Sequence, residues 1–175
     1  MRWFACLAGL LIATTAMALS MVAPPPTWIR ISEAQMVLIG RYLPAERSIH
    51  VSDPGPVCPV AIDTLLSDRR TEIERRSESA SRARVLLEFP GPRVPRDGRW
   101  IVLLGPATGG VHRDLIPIPF PKYAQDVDRL LIELADSIRA SRNPNFHALE
   151  GFLEQVRDTL PLDGGHGMTR YRATP

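Results

Sequence analysis

Three side chains of this sequence could together perform thiol chemistry. Cys58 stands in Pro-Val-Cys-Pro, and His50 and His112 are the candidate bases. A cysteine attacks as its thiolate, and an imidazole within hydrogen-bond reach assists by taking the thiol proton. Neither histidine adjoins Cys58 along the chain, so the fold must bring them together for a thiol-dependent enzyme. The other interpretations of Cys58 are an intermolecular disulfide and a small buried apolar residue in a loop held by prolines.

Other motifs that suggest chemistry are incomplete. The stretch Gly105-Pro106-Ala107-Thr108-Gly109-Gly110 lacks the lysine of a phosphate-binding loop. His112-Arg113-Asp114-Leu115 matches the opening of a protein-kinase catalytic loop, but Pro119 stands where that loop needs asparagine, so the resemblance is rejected. His147 and Glu150 could share a metal, yet two ligands do not make a site. We therefore predict no cofactor and no metal.

A second candidate site is an apolar strip. Ile116, Ile118 and Phe120 alternate with prolines at 117, 119 and 121. Proline cannot donate to a sheet, so the segment is expected to be an edge strand or a polyproline-II stretch with the three apolar side chains on one side. They either pack on their own domain or bind a partner.

The start of the chain indicates export. Arg2 is followed by an uncharged stretch from Trp3 to Ile29 that contains Ala16-Met17-Ala18. These are the parts of a signal peptide, which we place at 1–18 with cleavage after Ala18. An uncleaved membrane anchor over 3–23 and a buried N-terminal helix are the alternatives. A proline-rich linker, 19–26, would follow.

Composition limits the class of partner. The chain has 175 residues, with 21 basic and 19 acidic side chains and a net charge of +2. Acids interrupt the arginines along most of the chain, so nothing resembles the basic stripe that nucleic-acid binding needs. Cys6 lies in the leader, and its removal would leave Cys58 as an unpaired thiol. The remaining length suits one globular α/β domain over 27–160, followed by a flexible tail, 161–175.

Apolar periodicity predicts alternating strands and helices. The predicted elements are strand 27–31, helix 33–43, strand 48–51, helix 60–84, strands 85–89 and 100–104, helix 123–141, and a last helix that begins at Asn143-Pro144 and ends before Pro161. We expect the strands 85–89 and 100–104 to pair as a hairpin. The fold class is α/β or α+β: a central sheet of four or five strands, flanking helices and a C-terminal helical hairpin. The order is compatible with a thioredoxin-like layout without Cys-x-x-Cys.

These observations favour an exported, non-catalytic domain that binds another envelope or secreted protein through Ile116, Ile118 and Phe120. It would work in the periplasm or outside the cell, with membrane contact only through an uncleaved N-terminal segment. The alternative is an exported enzyme that uses Cys58 with His50 or His112.

Overall fold

Within the described residues, six strands and four helices position the candidate side chains. The computed structural model describes residues 24–43, 57–77, 84–88 and 98–162. In chain order the elements are α1 (Thr27–Glu33), β1 (Met36–Tyr42), β2 (Val57–Asp68), α2 (Glu72–Ser77), β3 (Arg84–Glu88), β4 (Trp100–Thr108), β5 (Val111–Asp114), β6 (Ile118–Pro119), α3 (Ala124–Ala140) and α4 (Pro144–Arg157).

Five of these strands close into a barrel. The sheet order is β1-β2-β3-β5-β4, and pairing of β4 with β1 completes the ring. The pairs are antiparallel except for β3 with β5. The two-residue strand β6 pairs with β4 outside the ring. Closure leaves the five barrel strands without a free edge, because each has two neighbours.

The barrel interior is mostly apolar. Its buried apolar side chains are Met36, Leu38, Tyr42, Cys58, Val60, Leu87, Val102 and Leu104. Strand β5 differs, because it contributes polar groups: His112 is paired in register with Leu87, and Asp114 with Leu104. Directly paired residues project to the same side of a sheet, so both polar side chains face the barrel interior.

The helices cover one side of the barrel. A second core cluster joins the outer faces of β1 and β4 to α1, α3, α4 and β6, and it includes Ile31, Val37, Ile39, Ile101, Leu103, Ile118, Leu134, Phe146 and Leu149. Asn143 caps α4 by accepting from the backbone amide of Asn145 at 3.0 Å, with Pro144 at the first helical position. The predicted sheet with flanking helices and C-terminal helices is therefore confirmed.

The first two predicted elements were wrong in type. The segment predicted as strand 27–31 forms helix α1, and most of predicted helix 33–43 forms strand β1. Strand β1 is buried on both faces, between the barrel interior and the helices, so its sequence Met36-Val37-Leu38-Ile39 is continuously apolar and shows no alternation. Ser32 and Gln35 match a capping-box pattern in sequence, but Ser32 lies in the last turn of α1 instead of at a helix start.

The predicted helix 60–84 was also wrong. Its first part belongs to the twelve-residue strand β2, and within the described residues of this range the helical ones are those of α2. Two register shifts against β1 leave Asp63 and Leu66 as extra residues on β2. Because each bulge adds a residue to β2, its apolar residues do not alternate regularly. Ile62, Leu65 and Leu66 therefore have a helix-like spacing in sequence, although all three lie in a strand.

Strand pairing differs from the predicted hairpin. Strand β3 pairs with β2 and β5, whereas β4 pairs with β1, β5 and β6. The closed barrel replaces the expected thioredoxin-like layout. Predicted strand 48–51, leader 1–18, anchor 3–23 and nearly all of the tail lie outside the described residues. Among the described helices, none is long and apolar enough to cross a membrane.

Candidate functional site

The predicted thiol pair is enclosed by the barrel. Cys58 is 0 % exposed and His112 is 1 % exposed. Cys58 pairs with Leu87, which in turn pairs with His112, so the three residues form one row across β2, β3 and β5. Two strand spacings separate the backbones of Cys58 and His112, about 10 Å. The Cys58 thiol lies 3.5 Å from the carbonyl oxygen of Pro59, and His112 Nδ1 lies 3.0 Å from the carbonyl oxygen of Gly105. His50 is outside the described residues.

Two members of the apolar strip pack on their own domain. Ile118 is 9 % exposed, pairs with Ile101 and belongs to the core beneath the helices. Phe120 packs edge-on against Phe152, with the Arg99 guanidinium 4.5 Å from its ring centre. Ile116, by contrast, is 39 % exposed. The strip therefore divides into an inner part and one outward-facing isoleucine.

The separation of Ile116 from the rest of the strip has a backbone cause. Its φ angle is +64°, and it is the one residue other than glycine with a positive φ in the described part of the chain. A β-branched side chain in this left-handed region is a conformational outlier, and a following proline further disfavours it. The turn breaks the two-residue alternation, so Ile116 and Ile118 do not share one face.

Arg30 holds this turn from helix α1. Its Nη1 donates to the carbonyl oxygen of Ile116 at 2.6 Å, and its Nη2 donates to Thr27 Oγ1 at 2.9 Å. The buried Nε has no hydrogen-bond partner among the described residues. A charge-assisted hydrogen bond is among the stronger interactions available to a strained carbonyl.

Asp114 is the most unusual charged group near this turn. It ends β5, is 3 % exposed, and its Oδ1 makes no hydrogen bond within the described ranges. Burial raises the pKa of Asp114 to about 7, although Arg30 opposes the shift. Burial lowers the pKa of Arg30, and Glu133 and Asp114 oppose that shift.

Sequence reasoning missed Arg30 and Asp114. Arg30 was assigned to a strand, and Asp114 was considered only within the rejected kinase-like motif. A signal for Asp114 was present in the sequence after Gly109-Gly110. In a strand there, His112 and Asp114 share one face, so a polar face would have to be buried if the strand lay inside a sheet.

The structure does not assemble the other weak candidate into a site. His147 and Glu150 form an i,i+3 pair at 3.7 Å on the surface of α4. Across the described ranges, no group of three histidine, cysteine or acidic side chains could hold a metal ion. Comparisons of the sequence with family models and with curated proteins found no match.

Proposed function

We propose that this chain is an exported, non-catalytic domain that binds another envelope or secreted protein, with the outward-facing turn at Ile116 as its contact point. The observation that carries the proposal is the combination of exposure and strain at Ile116. An isoleucine in the left-handed region costs roughly 1–2 kcal/mol relative to an ordinary conformation. Strain of this kind clusters at functional sites such as ligand clamps and switch regions, so its presence at an exposed side chain supports a functional contact there.

The alternative of a thiol-dependent enzyme has less support. A nucleophile must reach its substrate, and the Cys58 thiol is enclosed by the barrel. Leu87 also stands between Cys58 and His112 in the row of paired residues. Export remains part of the proposal on the sequence of the leader alone.

The test replaces Ile116 with asparagine in the full-length chain. Asparagine tolerates positive φ, so Ile116→Asn removes the apolar contact while retaining the turn. The matched control is Ile73→Asn, which changes an exposed isoleucine on the short helix α2. Each form is produced in its native host, crosslinked in intact cells, and analysed by quantitative mass spectrometry of captured proteins.

We expect one exported partner to be captured by the wild type and by Ile73→Asn but lost with Ile116→Asn. The melting temperature of Ile116→Asn should equal or exceed that of the wild type, because strain is relieved. Equal capture by all three forms would contradict a contact at Ile116. Recovery of the wild type without any stoichiometric partner would contradict the binding function itself.

A further inference from the structure

The outer edge of β6 is formed by a strand with one neighbour. Among the described strands β6 pairs with β4 alone, so its other edge faces away from the sheet. Pro119 of β6 is exposed, and Pro117, which comes just before the strand, is half-buried. A strand edge with unpaired N–H and C=O groups can accept a strand of another chain. The backbone groups on this edge therefore decide what can bind there.

Hydrogen bonds to β4 fix the direction of those groups. The amide of Phe120 donates to the carbonyl oxygen of Arg99 at 3.3 Å, and Ile118 pairs with Ile101. Along an extended strand, the backbone groups of successive residues point to opposite edges. The amides of Ile118 and Phe120 therefore point to β4, and the backbone groups of positions 117 and 119 point to the outer edge.

Proline occupies both outward positions. Pro117 and Pro119 have no N–H group, so this stretch of the edge presents two carbonyl oxygens and no donor, where other residues would present both. An added strand would find no donor for its own carbonyl groups and would meet the proline rings. The alternation of proline with apolar residues thus places each proline where it blocks strand addition.

The neighbouring carbonyl group shows how such an acceptor is satisfied without a strand. The carbonyl oxygen of Ile116 accepts from Nη1 of Arg30 at 2.6 Å. Arg30 belongs to helix α1, so the donor is a side chain of a separate element. A guanidinium has donors and no acceptor, which makes it complementary to a backbone segment that has acceptors and no donor.

We infer that the outer edge of β6 excludes a β-strand, and that the partner of the Ile116 turn binds this edge through side-chain hydrogen-bond donors. Ile116 is 39 % exposed and directly precedes Pro117, so one partner surface covers the isoleucine and reaches both proline carbonyl groups. These carbonyls are two residues apart, about 7 Å along an extended chain. The partner is expected to present N–H or O–H groups beside an apolar patch. The inference rests on the proposed function for the partner, whereas the chemistry of the edge does not.

Amide hydrogen exchange, measured by nuclear magnetic resonance on the full-length labelled chain, tests the edge without a partner. Pro119→Val adds one outward N–H group, and Pro119→Ser adds the same group with a smaller side chain. The amides of Ile118 and Phe120 are internal controls, because their protection reports pairing of β6 with β4. The new amide should exchange at least about 100-fold faster than these two, because it points to solvent.

Two exchange results would overturn the inference. Equal protection of all three amides in either variant would show that another part of the chain covers the edge. Rapid exchange of Ile118 and Phe120 in the wild type would show that β6 does not direct these amides to β4.

Partner capture distinguishes a strand from side-chain donors. It uses the crosslinking described for Ile116→Asn and compares the wild type with Pro117→Val/Pro119→Val, in which the edge regains both donors. The control is Pro161→Val, which replaces an exposed proline after α4. A partner that donates from side chains should be captured no more by the double variant than by the wild type.

A partner that adds a strand should be captured at least about threefold more by the double variant, since it gains backbone hydrogen bonds. Such a gain, absent in Pro161→Val, would overturn the inference while leaving the proposed function intact. Absence of a captured partner in every form would instead contradict the proposed function, and the exchange result would still decide the chemistry of the edge. The two failures are therefore distinguishable.

Discussion

Replacing Asp114 with asparagine should change how the stability of the fold depends on pH. The pKa of an aspartate, ordinarily 3.8, is raised to about 7 by burial in the barrel. Between these values the unfolded chain has released its proton while the folded chain retains it, so folding becomes less favourable as pH rises. The contribution is fully present below about pH 4, declines through the interval and is lost above about pH 7.

The magnitude follows from the size of the shift. A displacement of about three pKa units corresponds to about 4 kcal/mol, at 1.36 kcal/mol per unit. Asparagine resembles the protonated carboxyl group in shape and carries no charge at any pH. The variant should therefore match the wild type near pH 4 and exceed its free energy of unfolding by up to about 4 kcal/mol at pH 8.

Urea denaturation at pH 4, 5, 6, 7 and 8 measures this difference. The matched control is Asp136→Asn, because Asp136 is fully exposed on α3 and its removal should leave the pH dependence of the wild type unchanged. A difference between wild type and Asp114→Asn that is constant across the five pH values would refute the reasoning. It would show that the folded and unfolded chains have the same Asp114 pKa, so that burial does not raise it.

Three other substitutions, two of them with a matched control, test the packing, each by denaturation at one pH. Leu134→Ala should cost roughly 2–5 kcal/mol because the side chain is buried between α3 and the barrel, whereas Ile132→Ala on the exposed side should stay within about 0.5 kcal/mol. Gly40→Ala should destabilise by roughly 1–3 kcal/mol, because its Cβ would lie 2.6 Å from a carbonyl oxygen of β2, while Gly151→Ala, in open space on α4, should stabilise by about 0.5–1 kcal/mol. Asn145→Asp should be destabilising, because a carboxylate cannot donate to the two backbone carbonyls near the end of α1 that Asn145 Nδ2 contacts at 2.7 and 2.8 Å. Equal changes in the free energy of unfolding for the two members of either matched pair would contradict the packing described for Leu134 or Gly40. An Asn145→Asp variant as stable as the wild type would contradict the hydrogen bonds of Asn145.

The two C-terminal helices, α3 and α4, were predictable from sequence because each has one apolar face. Val127, Leu130, Leu134 and Ile138 recur at helical spacing, and all four are buried against the barrel. Such periodicity is a local property, since it depends only on which side of one helix meets the core. The structure confirms both C-terminal helices for this reason.

The barrel could not be derived in the same way. Its closure depends on pairing of β1 with β4, two strands separated by more than fifty residues, and no local pattern specifies that pairing. Strand β1 is buried on both faces and β2 contains two bulges, so neither shows the simple alternation by which a strand is identified. Apolar periodicity does not identify a strand that is buried on both faces or interrupted by bulges.

The apolar strip was only partly interpretable from sequence. Alternation with proline placed Ile116, Ile118 and Phe120 on one side, and the positive φ of Ile116 separates the first from the other two. Arg30, which stabilises the turn, lies 86 residues away in sequence. A contact of that separation has no local signature.

The barrel interior contains one polar side chain whose burial is costly. Strands β1 to β4 fill it with apolar groups, and a leucine or valine at position 114 would avoid the cost of desolvating a carboxyl group. Cys58 does not conflict with that environment, because a thiol packs as a small apolar group. Asp114 does conflict with it, and its Oδ1 gains no hydrogen bond in the described part of the chain in return. Departures from the most stable choice are expected where a residue serves function. For this reason the chemistry of the interior is better sought in the proton of Asp114 than in the thiol of Cys58.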